Sequence, residues 1–375
     1  MSPPRPKVQI LFVSGQMVPN VTPLLDGAMR PESAILCATD AMSKAAENLR
    51  GFLERHGIRA EVFALGRAYE FEDLQDKMLE LAARFDVPQE VAVNITGGTK
   101  LITIAGQTVF AGNGFPCFYV NPERDQALLL GCRPPEVVDL ENRLNIEDYF
   151  EIHGYTVPSL RRKAGVKPGF RKLASSIFAD PKLKVGELNY LAAKAEDAYS
   201  LLIKNDISEA SWQVFRLFMD YGAIAYYDDK KVEFASEADR DFCKGFWLED
   251  HVLLTLKQLA EDGAIQDYAA SIEIESPSGT RNEIDAAFLL QNRLHLIECK
   301  TCNMKLHGND AVYKIDTIKN DTGLFSVAIL ATFNKLPEHV ARRARDQRIR
   351  VLEGQALKNL AEHLAKPTGQ GGTHA

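Results

Sequence analysis

Short apolar runs alternate with amphipathic stretches over the first 131 residues of the chain. This alternation predicts a mostly parallel sheet with helices on its faces, which is a Rossmann-like α/β fold. The predicted strands are Val8–Val13, Ala34–Ala38, Ala60–Leu65, Val91–Ile95 and Cys117–Val120, with Ala127–Leu130 pairing antiparallel at the end. The predicted helices are Ala41–His56, Phe71–Phe85 and a mostly buried Lys100–Ala111.

A second mixed α/β pattern begins at about residue 235, with a strand hairpin at its centre. Its helices are expected at Asp239–Leu259 and Ala356–Leu364. Its predicted strands are Ser271–Ile274, Glu283–Leu290, Leu294–Cys299, Ser326–Ala331 and Arg350–Leu352. Residues 367–375 are rich in Gly and polar residues, so we expect a disordered tail.

Residues 151–234 are predicted to form a mainly helical connector, with its strongest helices at Glu187–Ile203 and Ser211–Tyr221. The connector begins with a basic stretch, residues 155–172, which holds six Lys or Arg residues and no acidic residue. A solvated loop and a nucleic-acid contact are both open for this stretch. The predicted domains are therefore 1–150, 151–234 and 235–366, followed by the tail.

Composition and charge limit the classes of function. Apolar residues make up 46% of the 375 residues and charged residues 25%, which is typical of a folded globular protein. The formal net charge of −7 gives no chain-wide positive field, so any phosphate-binding surface must be local. No run approaches the roughly 20 apolar residues of a membrane-spanning helix, and the N-terminus lacks a secretory apolar core. We expect a cytoplasmic protein with no membrane partner.

Cysteines and histidines give little support for a zinc or redox site. The six cysteines are scattered through apolar surroundings, so buried reduced thiols are expected. Cys299 and Cys302 have metal-like spacing but no second pair and no nearby His cluster. His251 and His295 are expected to be ordinary helix and strand residues.

A Gly-rich loop follows the fourth predicted strand and precedes a predicted helix. It runs Asn94-Ile95-Thr96-Gly97-Gly98-Thr99-Lys100. Glycines let a backbone approach a phosphate, and hydroxyl, ammonium and free backbone N–H groups can bind it. A tight turn with a solvated lysine is the alternative. The loop matches neither the Walker A motif nor the G-x-G-x-x-G fingerprint, so ATP hydrolysis and dinucleotide redox chemistry are not supported.

Two further predicted strands also end in small polar residues. Ser14 and Gly15 follow the first strand, and Thr39 follows the second. Ligands of open α/β sheets bind beyond the carboxyl ends of the strands, so these residues are expected to face the Gly-rich loop.

The C-terminal hairpin carries three groups that suit hydrolytic chemistry, Asp285, Glu298 and Lys300. Residues i and i+2 of a strand face the same side, so Glu298 and Lys300 project together. A two-residue turn at Asn292-Arg293 or at Gln291-Asn292 would bring Asp285 to the same face, and a three-residue turn would put it on the other face unless a bulge corrected it.

Two close carboxylates need a cation between them, and a hard divalent ion there can bind a scissile phosphate and activate water. Lys300 would orient or help deprotonate that water, or neutralise charge that develops on the phosphate. Glu249, on the preceding helix, either completes the metal shell or is a solvated acid. The alternative for the hairpin is a surface ion pair, because acid-x-Lys also occurs in polar stretches at residues 180–182 and 229–231.

The hairpin resembles the PD-(D/E)xK motif of restriction-endonuclease-like nucleases, with Asp285, Glu298 and Lys300 at the motif positions. The N-terminal half resembles a CARF domain, the CRISPR-associated Rossmann-fold sensor, on residues 94–100. Together they are similar to the ancillary nucleases of type III CRISPR defence. The chain departs from the pattern at Ile284, where the motif has Pro, and at Gly323, where a Gly pair is expected on the rim of the active site.

The resemblance implies a homodimer whose two sensor domains bind one cyclic oligoadenylate, cyclic tetra-adenylate first, in a two-fold pocket. The implied ligand-binding residues are Ser14, Gly15, Thr39, Asn94, Thr96, Gly97, Gly98, Thr99 and Lys100. It implies Mn²⁺ or Mg²⁺ at Asp285, Glu298 and Glu249, and cleavage of DNA, RNA or both. The resemblance gives weaker support for a contact of the substrate with Asp310, Tyr313 and Lys314. Two rivals are a nucleotide-sensing, DNA-binding regulator with an inactive nuclease module and an ungated DNA-repair nuclease.

Overall fold

The computed structural model describes residues 5–131, 136–195, 199–204, 206–323 and 325–365. Its N-terminal strands are β1 (Val8–Phe12), β2 (Ser33–Thr39), β3 (Arg59–Gly66), β4 (Val91–Asn94), β5 (Cys117–Asn121), β6 (Gln126–Leu129) and β7 (Glu136–Asp139). They form one sheet in the order β3-β2-β1-β4-β5-β6-β7, in which β1 to β5 are parallel and β6 and β7 antiparallel. The predicted Rossmann-like arrangement is confirmed.

Helices cover this sheet and lead out of it. They are α1 (Val18–Leu25), α2 (Ser43–Arg55), α3 (Phe71–Ala82), α4 (Lys100–Gly106) and α5 (Ile146–Ile152). The pattern did not predict α1, because Pro19 and Pro23 argue against a helix. A π turn, Gln107–Ala111, continues α4. The expectation of a mostly buried helix there is wrong on one face, since Ile104 is 54% exposed.

The middle of the chain is less helical than predicted. Its elements are β8 (Thr156–Arg161), α6 (Phe170–Ala179), α7 (Val185–Lys194), β9 (Ser200–Leu202), α8 (Glu209–Asp220), β10 (Ile224–Tyr227) and β11 (Lys231–Phe234). Strands β9, β10 and β11 form a small antiparallel sheet in the order β10-β11-β9. The predicted helix Glu187–Ile203 is therefore wrong beyond Lys194. Residues 196–198 lie outside the described part of the chain.

The basic stretch is not a solvated loop over its first half. Strand β8 pairs antiparallel with the C-terminal sheet and forms its edge. Three basic side chains of the stretch make ion pairs with acids elsewhere in the chain: Arg161 with Asp250, Arg162 with Glu147 and Asp267, and Lys167 with Asp239. These contacts neutralise half of the basic charge that the sequence places there.

The C-terminal elements are α9 (Glu237–Asp241), α10 (Trp247–Glu261), β12 (Asp267–Glu275), β13 (Arg281–Leu290), β14 (Arg293–Lys300), α11 (Met304–Asp321), β15 (Val327–Thr332), α12 (Glu338–Asp346), β16 (Ile349–Glu353), α13 (Gln355–Lys358) and α14 (Leu360–Leu364). Their sheet has the order β16-β15-β14-β13-β12-β8. All predicted strands of this half are confirmed. The predicted helix Asp239–Leu259 is interrupted at Gly245, whose φ is 157°. The tail predicted to be disordered lies outside the described residues.

The two halves share buried apolar side chains. One cluster contains Leu11 and Leu36 of the N-terminal sheet, Ile146 and Phe150 of α5, and Leu296 of the C-terminal sheet, all nearly inaccessible. Helix α5 packs between α2 of the N-terminal half and strands β8, β12 and β13 of the C-terminal sheet. No helix among the described residues is long and apolar enough to cross a membrane.

Candidate active site and ligand-binding loop

The turn of the β13–β14 hairpin decides which side chains meet at its other end. Gln291 and Asn292 both have positive φ, 52° and 54°, so they form a two-residue turn of the kind that joins twisted strands. Leu290 pairs with Arg293 and the register continues without a bulge to Ala286 and Ile297. The Gln291-Asn292 alternative is therefore confirmed, and the three-residue turn is excluded.

This register brings the predicted acids and lysine together. The Nζ of Lys300 lies 2.6 Å from Oε1 of Glu298 and 3.5 Å from Oδ2 of Asp285. A second lysine, Lys314 of α11, lies 2.8 Å from Oε2 of Glu298 and 3.6 Å from Oδ1 of Asp285. Two carboxylates and two ammonium groups thus share one face of the hairpin. The sequence argument undervalued Lys314, because its approach depends on how α11 packs against β14.

Burial makes this cluster unlike a surface ion pair. Glu298 is 2% exposed and Asp285 8%. Burial raises the pKa of Glu298, and the charge of Asp285 raises it further, while Lys300 and Lys314 oppose the shift. Burial alone lowers the pKa of Lys300, but the charges of Asp285 and Glu298 outweigh it and raise that pKa. The acids therefore stabilise the charged form of Lys300, whereas burial and the charge of Asp285 shift Glu298 towards its protonated form.

Glu249 of α10 faces the same cluster. Burial raises the pKa of Glu249 to about 8, and the charge of Asp285 adds to the shift. Arg161 of β8 opposes it. Helix α10, which carries Glu249, packs against β13 and β14 of the hairpin.

The donors fit a hard divalent cation by their chemistry. Mg²⁺ and Mn²⁺ prefer oxygen ligands, and the carboxylates of Asp285 and Glu298 converge on positive charge. The backbone N–H of Cys299 donates to Oδ2 of Asp285 at 2.7 Å and orients that carboxylate. Within the described ranges, however, no group of three or more His, Cys, Asp or Glu side chains is arranged to hold a metal ion. Lys300 and Lys314 supply the charge that the acids need in this arrangement.

The two histidines considered above contact neighbouring residues of the fold, and the cysteines that the structure describes are not paired. The Nε2 of His251 lies 2.9 Å from the carbonyl oxygen of Leu357. The ring of His295 stacks on Phe288 at 4.4 Å, and burial lowers the pKa of His295 to about 3. The described cysteines are all free thiols, and Cys132 lies outside the described residues.

Gly323 does not lie on the rim of the active site as the resemblance implied. A Cβ at this position would lie 2.9 Å from Nε2 of His153. The preceding carbonyl, of Thr322, accepts a hydrogen bond from the hydroxyl of Tyr149 at 3.0 Å. Both partners belong to or directly follow α5, so this segment packs against the link between the two halves.

The Gly-rich loop lies at the end of β4, beside the ends of β1 and β2. Gly97 leaves no room for a side chain, because a Cβ there would lie 2.0 Å from the carbonyl oxygen of Phe12. Gly98 has a φ of +87°, in the left-handed region that favours glycine. Ser14, Gly15 and Thr39 follow or end the two neighbouring strands, so the predicted strand ends do converge.

Two side chains that were predicted to bind the ligand form hydrogen bonds within the protein. Asn94 is fully buried, donates to the carbonyl of Pro19 at 2.9 Å, and accepts from the hydroxyl of Thr96 at 2.6 Å. The Thr96 hydroxyl also accepts from the backbone N–H of Val120 at 2.7 Å. These contacts shape the loop, in which Lys100 is exposed, and Gly15 after β1 is exposed as well.

Comparisons with known proteins divide the chain in the same way. Residues 8–149 match the Card1 CARF domain, and residues 236–368 match the endonuclease domain described as Card1-like. No curated protein matches the chain.

Two solved structures match nearly the whole chain, and a third matches a large part of it. Protein VC1899 from Vibrio cholerae is 25% identical, with a TM-score of 0.83 over 96% of this chain and 97% of that chain. Can2 from Sulfobacillus thermosulfidooxidans, solved with cyclic tetra-adenylate, is 23% identical, with a TM-score of 0.78 over 96% and 97%. A type III CRISPR defence DNA nuclease activated by cyclic oligoadenylate is 19% identical, with a TM-score of 0.55 over 88% of this chain and 45% of that chain.

The fold and the site define a two-part protein in which a CARF domain is joined to a restriction-endonuclease-like domain. Through both of its matched domains, the chain belongs to the Card1-like CARF endonucleases. The predicted fold class and the predicted endonuclease class are confirmed.

Proposed function

We propose that this chain is a metal-dependent endonuclease that a cyclic oligoadenylate activates in type III CRISPR antiviral defence. The observation that carries the proposal is the cluster that Asp285, Glu298 and Lys300 of the hairpin form with Lys314 of α11, in the same chain as a CARF domain. The printed titles of two relatives of the same fold, one bound to cyclic tetra-adenylate and one activated by cyclic oligoadenylate, support it.

Asp285 and Glu298, with Glu249, would hold Mn²⁺ or Mg²⁺. When bound, the ion would polarise the scissile phosphate and activate water. Lys300 and Lys314 would neutralise the charge that develops on the phosphate during attack. The backbone N–H of Cys299 would hold the Asp285 carboxylate in one orientation. DNA, RNA or both are the proposed substrates.

Residues 1–150 are proposed as the sensor and 235–366 as the nuclease domain, with 151–234 between them and β8 added to the nuclease sheet. The ligand would bind at the ends of β1, β2 and β4, through Ser14, Gly15, Thr39 and the loop at 94–100. A homodimer would offer a two-fold site to a two-fold ring such as cyclic tetra-adenylate. Binding would act through a different affinity for two arrangements of the dimer.

The test incubates the full chain with Mn²⁺, single-stranded DNA and RNA and supercoiled plasmid, with and without cyclic tetra-adenylate. Glu298→Ala is run in parallel. Asp229→Ala is the matched control, because Asp229 is an exposed acid in a second acid-x-Lys sequence. We expect ligand-dependent cleavage that Glu298→Ala loses and Asp229→Ala keeps.

Two results would replace the proposal by one of its rivals. Equal cleavage with and without ligand would indicate an ungated repair nuclease. Tight ligand binding with no cleavage under any divalent metal would indicate a DNA-binding regulator.

A further inference from the structure

A wide groove opens beside the hairpin cluster, between α7 and the start of α11. Its cavity volume is about 800 Å³. Cys302 and Asn303, two and three residues after Lys300, form part of its wall. Since a chain spans at most about 3.5 Å per residue, the groove begins within roughly 10 Å of the Lys300 backbone.

The wall of this groove is strongly basic. Four lysines line it, Lys184, Lys244, Lys305 and Lys335, against a single acid, Glu187. All four lysines are exposed, and among the described residues none makes an ion pair. The carboxylate of Glu187 accepts a hydrogen bond from the backbone N–H of Ser208 at 3.3 Å. In a chain with a net charge of −7, this is a local positive surface next to the proposed site of hydrolysis.

An exposed aromatic ring lies on the path that leads away from the cluster. Tyr190 of α7 is 56% exposed and lines both the groove and a second cavity of about 640 Å³. The Nζ of Lys194 lies 5.8 Å from the Tyr190 ring centroid. Lys194 and Lys204 line the second cavity together with the acids Glu187 and Asp206. The two cavities share Gly186, Glu187 and Tyr190 in their walls, so together they form a path that is most basic in the groove and passes the Tyr190 ring.

We propose that this path binds the substrate strand on one side of the scissile phosphate, as a single strand whose phosphates contact the lysines and one of whose bases stacks on Tyr190. Lysine-lined grooves with exposed aromatic rings have the chemistry of single-strand binding, because the phosphates need positive charge and the unpaired bases need a flat apolar surface. This inference rests on the proposed function and specifies how the substrate strand is bound beside the hairpin cluster.

The test measures binding in the Glu298→Ala background, so that the strand is not cleaved. A fluorescent 20-nucleotide single-stranded DNA is titrated with Mg²⁺ and cyclic tetra-adenylate present, and anisotropy is recorded from 50 to 200 mM salt. The groove variant carries Lys244→Ala, Lys305→Ala and Lys335→Ala. The control variant carries Lys230→Ala, Lys257→Ala and Lys358→Ala, exposed lysines that do not line the groove. Circular dichroism melting checks that both variants are folded.

We expect the groove variant to bind at least about tenfold more weakly and its salt slope to fall by roughly 2, since three phosphate contacts contribute about 0.7 each. Tyr190→Ala should weaken binding about 5- to 100-fold with an unchanged salt slope, because stacking releases no counterions. The control variant should change affinity less than twofold. Equal affinity and salt slope in the groove and control variants would overturn the proposal.

A parallel cleavage assay separates this proposal from the proposed function. With Glu298 restored, the groove variant should show a raised KM for a long strand. Cleavage by the wild-type chain together with an unchanged KM in the groove variant would reject the groove alone. No cleavage by the wild-type chain under any condition would reject the proposed function itself.

Discussion

At the scale of single residues, burial decides what each polar group does. Glu298 would be an ordinary surface acid if α11 did not cover it with Lys314. Asn94 and Thr96 bond to each other and to the backbone of Pro19 and Val120, so these contacts set the shape of the Gly-rich loop. Burial of a polar group without a partner is costly, so most buried polar groups form hydrogen bonds within the protein, and the partner limits what else they can bind.

Substitutions in the hairpin cluster should impair cleavage alone, and substitutions in the Gly-rich loop should impair ligand binding. Glu298→Ala should lower cleavage by at least about 10²-fold and leave binding of cyclic tetra-adenylate intact, because Glu298 lies in the other half of the chain. Lys100→Ala should weaken ligand binding. Its cleavage should therefore be low at limiting ligand and should reach the wild-type rate only at saturating ligand. Isothermal titration and a cleavage assay on both variants check this. Loss of ligand binding in Glu298→Ala would contradict the separation.

Asp125 lies at the junction of the two halves, and we expect its titration to make the stability of the protein depend on pH. It accepts a hydrogen bond from the side chain of Asn292, at the tip of the β13–β14 hairpin. Burial raises the pKa of Asp125 to about 7, the Asn292 contact opposes this, and the charge of Asp26 adds to it. Because the folded-state pKa is raised, the stability from protonated Asp125 is complete below about pH 4 and is lost as the pH rises through 7.

Asp125→Asn should therefore stabilise the protein most at pH 8. We expect a melting midpoint roughly 2–4 °C above that of the wild type at pH 8, and a gain that shrinks as the pH falls to 4. Thermal unfolding of both proteins across that range checks it. An equal gain at every pH would show that Asp125 does not titrate in this way.

At the scale of elements, the tight junctions between strands and helices set the site geometry. The two-residue turn at Gln291-Asn292 places the acids of β13 and β14 on one face. The junction of β4 and α4 depends on Gly97, which lies against the backbone of β1.

Gly97→Ala should disturb the β4–α4 junction and weaken ligand binding. Its Cβ would meet the carbonyl oxygen of Phe12, and we expect a loss of about 1–3 kcal/mol in the free energy of unfolding. Gly112→Ala is the matched control, because Gly112 has helical φ and ψ and open space around its Cβ. Denaturant unfolding and ligand titration measure both effects. Equal behaviour of the two variants would argue against a strained junction.

At the scale of the whole molecule, the nuclease half is not independent of the residues that precede it. Strand β8 completes its sheet, and apolar residues of the connector share one core with it, including Phe170 and Ile177 packed with Trp247 and Leu256. Helix α5 joins this assembly to the sensor sheet.

A fragment of residues 235–375 should therefore not fold cooperatively. Removal of β8 exposes an edge of β12, and removal of the connector exposes the apolar side chains of α10. We expect aggregation or a broad melting transition, and a sharp one for the full chain. Circular dichroism melting and size-exclusion chromatography compare them, and a sharp transition in the fragment would contradict the expected dependence.

The sequence by itself determined β1 to β6 and β12 to β16, their alternation with helices, and the hairpin that joins Asp285, Glu298 and Lys300. These features follow from local periodicity and from short connections, which neighbouring residues specify. The same locality let the sequence indicate the Gly-rich loop and the convergence of three strand ends.

Only the tertiary structure decided which groups meet across long distances in the chain. It added Lys314 to the acids, turned Asn94 and Thr96 inward, and made the basic stretch an edge strand with ion pairs. It also placed four lysines from separate elements in one groove beside Lys300. No periodicity encodes such contacts, because they depend on how packed helices and sheets bring distant residues together and exclude water from between them.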